Sequence, residues 1–331
     1  MPINTIKQDV IDGAFGFRNK IINGKMDVSQ RGTSFAASHG AYTLDRWVLG
    51  SLNTTAVSTA SQSADVPSSE FQNSLRLTVT TADATVNANR SVAIAQRIEG
   101  YNARDLIGRP VALSFWVRSS KVGIHCVALR NAEPVDRSYV AEYTVVAANV
   151  WEKKTVIVPS GLIITGNWNW TTGVGLQLSF IVSAGSAIQS TANVWQTGNF
   201  LATANQVNCL DTVGNIFAIT GVQLEAGSVA TPFEHRPVGV ELALCQRYWQ
   251  LVRISTFGHG AAAGASIACS VPFFQQVRST PTLATRASIE SVGVNNVGFS
   301  HVTTNGAKYA VTASAAMIFG ATIDVSIDAE L

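Results

Sequence analysis

Between residues 75 and 182 the chain alternates apolar and polar positions in short runs. Residues 75–79 read LRLTV, 92–98 VAIAQRI and 111–117 VALSFWV, and comparable runs occupy 124–129, 138–146, 154–158 and 174–182. Alternation of period two puts every second side chain on one face of a sheet. The punctuation by GRP, VPSG and AGS predicts turns between antiparallel strands. Earlier, 20–26 (KIINGKM) and 42–49 (YTLDRWVL) predict two strands, and 51–69 a weak strand or a surface excursion; 219–224 predicts a closing strand. No helical period of useful length precedes residue 237. There Val238, Leu242, Cys245 and Trp249, with Val240, Leu244 and Tyr248, recur at steps of three and four. That spacing predicts an amphipathic helix over 237–250, with Pro237 in its first turn. Beyond it, 267–271, 281–285, 289–294, 297–302, 309–313 and 323–327 return to short strands, and GHGAAAG at 258–264 predicts a loop. The fold class expected is mostly β: a jelly-roll sandwich over 19–236, a linking amphipathic helix over 237–250, and a small β-sandwich over 251–331. Residues 1–18 carry no period and read as an extended arm that orders against something else, or as a tail.

Composition sharpens this picture. Of 331 residues, 47% are hydrophobic, enough for a sizeable core, but only 13% are charged, against about a quarter in an average domain. A surface so poor in charge suits burial in an assembly. A net charge of +2 with no basic stripe argues against nucleic-acid binding. No apolar run reaches the ~18 residues that suggest a membrane-spanning helix, and the N-terminus lacks a signal-peptide core, so no membrane insertion and synthesis in a reducing cytoplasm are expected. Cys126 and Cys245 sit in apolar patterns and read as buried thiols. The spacing of Cys126, Cys209, Cys245 and Cys269 neither supports nor excludes a disulfide, and it fits no metal site. His39, His125, His235, His259 and His301 are scattered, without HxH or HExxH, so no metal or cofactor is expected.

The chemistry-bearing candidates are few. Trp168 and Trp170, in GNWNWTTG, share a face between Asn167 and Asn169, and Trp195 follows. Flat aromatic faces stack on sugar rings, and amides hydrogen-bond hydroxyls, so these five form a candidate glycan-binding set. The competing reading is that the tryptophans close the end of the sandwich or pack at a subunit interface. Asp45-Arg46-Trp47 reads as structural: on an alternating strand Asp45 and Trp47 share a face, with Arg31 a charge partner and Trp47 in the core. Glu225 ends the closing strand. Glu142, Glu152, Asp211 and Glu225 show no spacing that marks a paired acid and base. No GxSxG elbow or phosphate loop occurs. A non-enzymatic protein is expected.

Three landmarks together carry a resemblance: Ile22-Asn23-Gly24 with Gln30-Arg31-Gly32; Tyr42-Thr43-Leu44-Asp45-Arg46-Trp47; and GVQLEAGSVATPFEHRPVGVELALCQRYW. The combination, with Arg278, Pro281 and the closing DAEL, resembles tailed-bacteriophage virion appendage proteins of the tail-fibre, collar or head-fibre type. The strands SFWVRS and GVQLE are similar to carbohydrate-binding jelly-roll modules. The resemblance implies a structural or receptor-binding virion subunit, usually a homotrimer, with residues 1–18 the candidate anchor on tail or capsid proteins; it does not itself identify the ligand, for which host surface polysaccharide is the candidate. In a threefold assembly the face of Val238, Leu242, Cys245, Tyr248 and Trp249 would line the axis; alternatively it seals one domain against the other. A collar or capsid-decorating protein without a host ligand is one alternative. A glycan-depolymerising tailspike is another, although no period of a repetitive body is found.

Overall fold

The computed structural model describes residues 17–132, 134–159, 162 and 165–331. Up to residue 16, the expected docking arm lies outside the described residues. The chain divides into two compact units, Met1–Arg236 and Pro237–Leu331. It is mostly β, a sandwich of the jelly-roll kind.

In the first unit, one six-stranded sheet runs in the order β1 (Ser34–Ala36), β3 (Val57–Ser63), β4 (Ser74–Thr81), β12 (Ile216–Ala226), β6 (Val111–Ser119), β9 (Glu152–Val158). The other runs β11 (Trp195–Thr197), β8 (Arg137–Val145), β7 (Gly123–Arg130), β10 (Val174–Ala184), β5 (Ser91–Glu99), β2 (Trp47–Leu52). Their inward residues form one core, including Trp47, Leu75, Leu113, Phe115, Leu129 and Phe180. Phe115 sits edge-on to both Phe180 and Tyr143. The weak segment at 51–69 does contain a strand, β3.

One expected strand is a turn instead, and another begins late. At 20–26 the chain bends through Asn23, which adopts a positive φ of 58°. The Asn23 side chain accounts for the bend: its amide donates to the carbonyls of Val28 (2.8 Å) and Asp45 (3.0 Å) and accepts from the Val28 N–H (3.0 Å). An Asn that bonds nearby backbone this way competes with a regular ladder. Asp45 and Arg46 also lie in a turn, Arg46 at φ 72°, and β2 begins only at Trp47. The alternation expected across Asp45-Arg46-Trp47 therefore fails, but the partners hold. Asp45 Oδ1 accepts from the Gln30 N–H (3.0 Å) and lies 3.7 Å from Arg31 Nη1. Burial nonetheless pushes the Asp45 carboxyl above its usual range. Trp47 is fully buried and donates from Nε1 to the Asn23 carbonyl at 3.0 Å.

Glu225 closes the stretch after β12. It accepts from the Thr231 N–H (2.8 Å), the Thr231 hydroxyl (2.7 Å) and the Gln223 amide (2.9 Å), and lies 3.5 Å from Arg18 Nε. Glu234 then accepts from the Asn19 N–H at 3.0 Å, and Arg236 donates to the Ile21 carbonyl at 3.2 Å. The loop between Pro232 and Arg236 thus straps residues 18–21 onto β12.

The second unit begins with a helix, Val238–Gln246, shorter than expected. Tyr248 and Trp249 lie beyond it, because Trp249 opens β13 (Trp249–His259), paired with β18 (Ile318–Asp328) from Trp249 opposite Asp328 onward. The ladder wins over the helical spacing. Nor is the helix one-sided. Val238 is 74% exposed, Leu242 is half-buried, and Cys245 is its buried residue, whereas Tyr248 and Trp249 are buried outside it. The remaining strands form two three-stranded sheets, β13-β18-β15 and β14-β17-β16, with β14 Ser266–Pro272, β15 Thr282–Val292, β16 Val294–Ser300 and β17 Gly306–Ala313. Tyr309, Val311, Phe319, Ile323 and Val325 centre their core.

One buried titratable group makes the first unit sensitive to acid. The His125 ring stacks between Tyr143 and Phe217, and its Nε2 bonds the Lys121 carbonyl at 3.0 Å. Burial lowers its pKa below the usual 6.5. The neutral form is thus favoured by folding: its contribution is complete above the unfolded pKa and is lost as pH falls from about 6.5 toward the folded value. His125→Gln, which keeps a donor for Lys121, is expected to lose less stability than the unaltered chain between pH 7.5 and 5, read as the change in urea midpoint. Equal losses would show that His125 does not set the slope.

Candidate functional site

The loop 165–173, which leads into β10, is held by the turn between β7 and β8. Asn131 organises that turn, accepting from the N–H groups of Asp136 and Arg137 (2.9 Å each) and donating to the Asn167 carbonyl at 2.8 Å. The Asp136 carboxylate accepts from the Asn167 side-chain amide at 2.7 Å and from the Asn167 N–H at 3.2 Å. The Asn131 amide, with Asn167 assisting, holds the Asp136 carboxyl below its ordinary range. Further along, Asn169 Oδ1 accepts from the N–H (2.9 Å) and hydroxyl (3.0 Å) of Thr171 and from the Gly173 N–H (3.2 Å). The Tyr101 N–H donates to the Thr171 carbonyl at 2.9 Å, bringing a further exposed aromatic residue beside the loop.

On this frame Trp168 and Trp170 stack, centroids 5.2 Å apart and planes 11° from parallel. Trp168 meets Trp195 edge-on at 5.8 Å and donates from Nε1 to the Thr165 carbonyl at 3.0 Å. Trp195 on β11 lies opposite Tyr139 on β8, ring centroids 5.5 Å apart. The three tryptophans are half-buried and pack against the edge of the core. An open concavity of about 460 Å³ is lined by Gly166, Asn167, Trp168, Asn169, Trp170 and Thr171.

All five residues of the candidate set are therefore brought to one place. The asparagines differ from expectation in role: Asn167 commits its side-chain amide to Asp136, and Asn169 Oδ1 holds its own loop. Asn131, Asp136, Tyr139 and Tyr101 complete the site and escaped sequence reasoning. A turn-forming Asn and Asp around a proline (Asn131, Pro134, Asp136) was the available signal. Val238, Leu242, Cys245, Tyr248 and Trp249 belong to the second unit.

In the core, one contact with catalytic character is closed off. Cys209 Sγ lies 3.9 Å from His125 Nδ1, a thiol–imidazole contact, but both are enclosed in the core and burial pushes the thiol up to about 12. A reactive cysteine needs the reverse shift and exposure. Among the described residues, no three His, Cys, Asp or Glu side chains gather as metal ligands, and no helix is long and apolar enough to cross a membrane. None of the four cysteines forms a disulfide.

No family model matches the chain, and no curated protein matches it. Several solved structures match the chain at low similarity. The enzymatically active domain of bacteriophage CBA120 tailspike protein 4 matches over 63% of this chain and 21% of its own, at 13% identity and TM-score 0.34. A family 4 carbohydrate-binding module matches over 62% of this chain and 98% of its own, at 14% identity and TM-score 0.35. A family 11 carbohydrate-binding module from Clostridium thermocellum, solved with a mixed-linked tetrasaccharide, matches over 60% and 98%, at 10% identity and TM-score 0.33.

Removing the Asp136 carboxylate should release the loop without unfolding the sandwich. Asp136→Ala is expected to raise acrylamide quenching of tryptophan fluorescence while leaving the far-ultraviolet circular dichroism unchanged. Unaltered quenching would mean that the loop is held by the tryptophan stack alone.

Proposed function

We propose that the chain is a non-enzymatic structural subunit of a tailed-phage virion, a tail- or head-fibre type appendage that assembles as a homotrimer and binds host surface polysaccharide through the Trp168–Trp170 loop. The observation that carries the glycan part is the stacked tryptophan pair, braced by Asn131 and Asp136 and bordering an open concavity. A braced aromatic platform loses little conformational freedom on binding. The virion part rests on the combination of sequence landmarks at Ile22-Asn23-Gly24, Asp45-Arg46-Trp47 and the stretch after β12. Binding rather than hydrolysis is favoured because, among the described residues, no carboxylate lines the concavity, whereas glycosidic cleavage ordinarily uses two. Residues 1–18 are the proposed virion-docking arm. Three weak sites in one particle would multiply into avidity, about 10²–10⁴-fold where geometry lets them engage together.

A second reading, a collar or capsid-decorating protein without a host ligand, is favoured by the packing of Trp168, Trp170 and Trp195 against the core edge. The two readings part on Trp170→Ala. On the glycan reading, retention on bacterial surface polysaccharide in affinity electrophoresis falls by about tenfold or more, the ~2 kcal/mol scale of a central aromatic contact, with a small change in melting temperature. On the structural reading, melting falls and no polysaccharide retards either form. Light scattering on the purified chain is expected to give three times the 35.1 kDa chain mass; a clean monomer would count against the trimeric appendage.

A further inference from the structure

We propose that the outer face of the β11-β8-β7-β10-β5-β2 sheet carries a subsite for the carboxylate of an acidic sugar, built on Arg130 with Arg97 and Gln177. The proposal deepens the glycan-binding reading and rests on it for the sugar.

Much of that outer face is already covered by the chain itself. Ala93, Cys126, Ala128, Val140 and Ile181 point away from the main core and pack under Leu201 and Ala202, with Ile188 and Phe200 at the margin. The covering segment is pinned by Gln206, whose Oε1 accepts from the Cys126 N–H at 2.6 Å, and by the Thr203 hydroxyl, bonded to Glu142. Toward the end of the sheet where loop 165–173 sits, the face changes character. Gln177 on β10 lies opposite Arg97 on β5 and opposite Arg130 on β7. Direct partners in an antiparallel ladder point to the same side, so the three side chains form one row. The two arginines are about 10 Å apart at the backbone, two strand spacings. Arg46 adds a third guanidinium, donating from Nη2 to the Arg97 carbonyl at 2.5 Å.

Arg130 is the anomaly in that row. It is only 9% exposed, yet its bonded partner is a neutral one, the exposed Asn199 side chain, and its Nε has no partner. Among the described residues no carboxylate pairs with it. Burial and the neighbouring Arg97 charge bring its pKa down to about 10. A guanidinium in this position carries an uncompensated desolvation penalty, and its planar fork fits a carboxylate. Gln177, held by a 3.2 Å bond from its amide to the Ser179 hydroxyl, keeps its carbonyl oxygen for a sugar hydroxyl. Glu99, buried two positions beyond Arg97 on the same strand and side, also faces this row. The Asp136 carboxylate near the sheet end is occupied by Asn131 and Asn167.

Isothermal titration of the full chain with galacturonate hexamer, with the fully methyl-esterified hexamer and with sodium sulfate tests this. The acid hexamer is expected to bind at least tenfold tighter than the ester in low salt. Arg130→Gln should bring that ratio toward one by weakening the acid hexamer. A ratio of one in the unaltered chain, no binding of either hexamer, or a ratio that survives Arg130→Gln overturns the subsite. Sulfate bound as tightly as the acid hexamer overturns the assignment to a sugar acid. Should Arg130→Gln fail to fold, Arg97→Gln takes its place with the same expected loss of discrimination. Trp170→Ala separates the two readings. If it weakens both hexamers while their ratio is already one, glycan binding stands and the subsite falls. If Trp170→Ala changes nothing while the ratio depends on Arg130, the anionic subsite stands and the tryptophan platform falls.

Discussion

The first unit depends on how the second half of β12 is paired. From Ile216 to Ile219 that strand has β4 beside it, but β4 gives no ladder partners beyond Leu75. A buried strand cannot leave its amides unpaired. The irregular segment from Asn19 to Gly24 supplies what β4 does not: Lys20 donates to the Leu224 carbonyl at 2.8 Å, and Val222 donates to the Gly24 carbonyl at 3.0 Å. The Asn19 side chain fills the gaps, accepting from the Leu224 N–H and donating to the Val222 carbonyl. The approach is so close that any Cβ on Gly24 would collide with the Val222 carbonyl oxygen. The Ile22-Asn23-Gly24 landmark is thus one pairing device, with Asn23 turning the chain and Gly24 allowing contact.

The same constraint gives the stretch after β12 its purpose. Glu225 folds Thr231 back, Gln223 Oε1 accepts from the Glu234 N–H at 2.7 Å, and Glu234 with Arg236 grips residues 18–21. Phe233 and His235 anchor this strap on Phe71, whose ring also approaches Gly221 at the β12 irregularity. Residues far apart in sequence therefore form one closure: the segment before β1 completes the sheet, and the segment after β12 locks it in place. Trp47 ties this closure to the opposite sheet through its bond to the Asn23 carbonyl.

Periodicity made the sandwich legible. β4 to β10 are long enough, and buried enough on one side, for alternation to survive. It misled where local chemistry overrode it. The apolar pair Ile21-Ile22 imitates a strand, but Asn23 supplies side-chain bonds that a turn can use. At 238–249 the apolar residues satisfy steps of three and four, yet strand alternation takes over from Gln250 through Val252 and Ile254, and the ladder with β18 settles the outcome. The run expected at 281–285 and most of that expected at 289–294 belong to one strand, β15, interrupted by register shifts near Ala287 and Glu290, and Val294 opens β16. Of the candidate site, Trp168 and Trp170 could be seen as a pair because a single residue, Asn169, separates them. Their meeting with Trp195 depends on β11 lying against β8, and their support by Asp136 depends on a hairpin turn. Neither long-range pairing leaves a trace in local spacing.

The asparagines of GNWNWTTG also change what the loop can do. A free Asn beside a tryptophan would contribute a flexible donor and acceptor to a ligand, at the entropic cost of fixing it. Here Asn167 and Asn169 are already fixed, one by Asp136 and the other by Thr171 and Gly173. They contribute shape, holding two indoles parallel at the mouth of a shallow concavity, and discrimination by hydrogen bonding must come from neighbouring groups. On the proposed glycan reading, a platform of this kind would grip saccharides by area and tolerate variation among them. The charged row on the adjacent sheet face has the opposite character: Arg97, Gln177 and Arg130 are set by strand register and offer direction and charge but little apolar area. The two surfaces sit at the same end of one sheet, so a polymer long enough to reach both would meet a tolerant contact and a selective one.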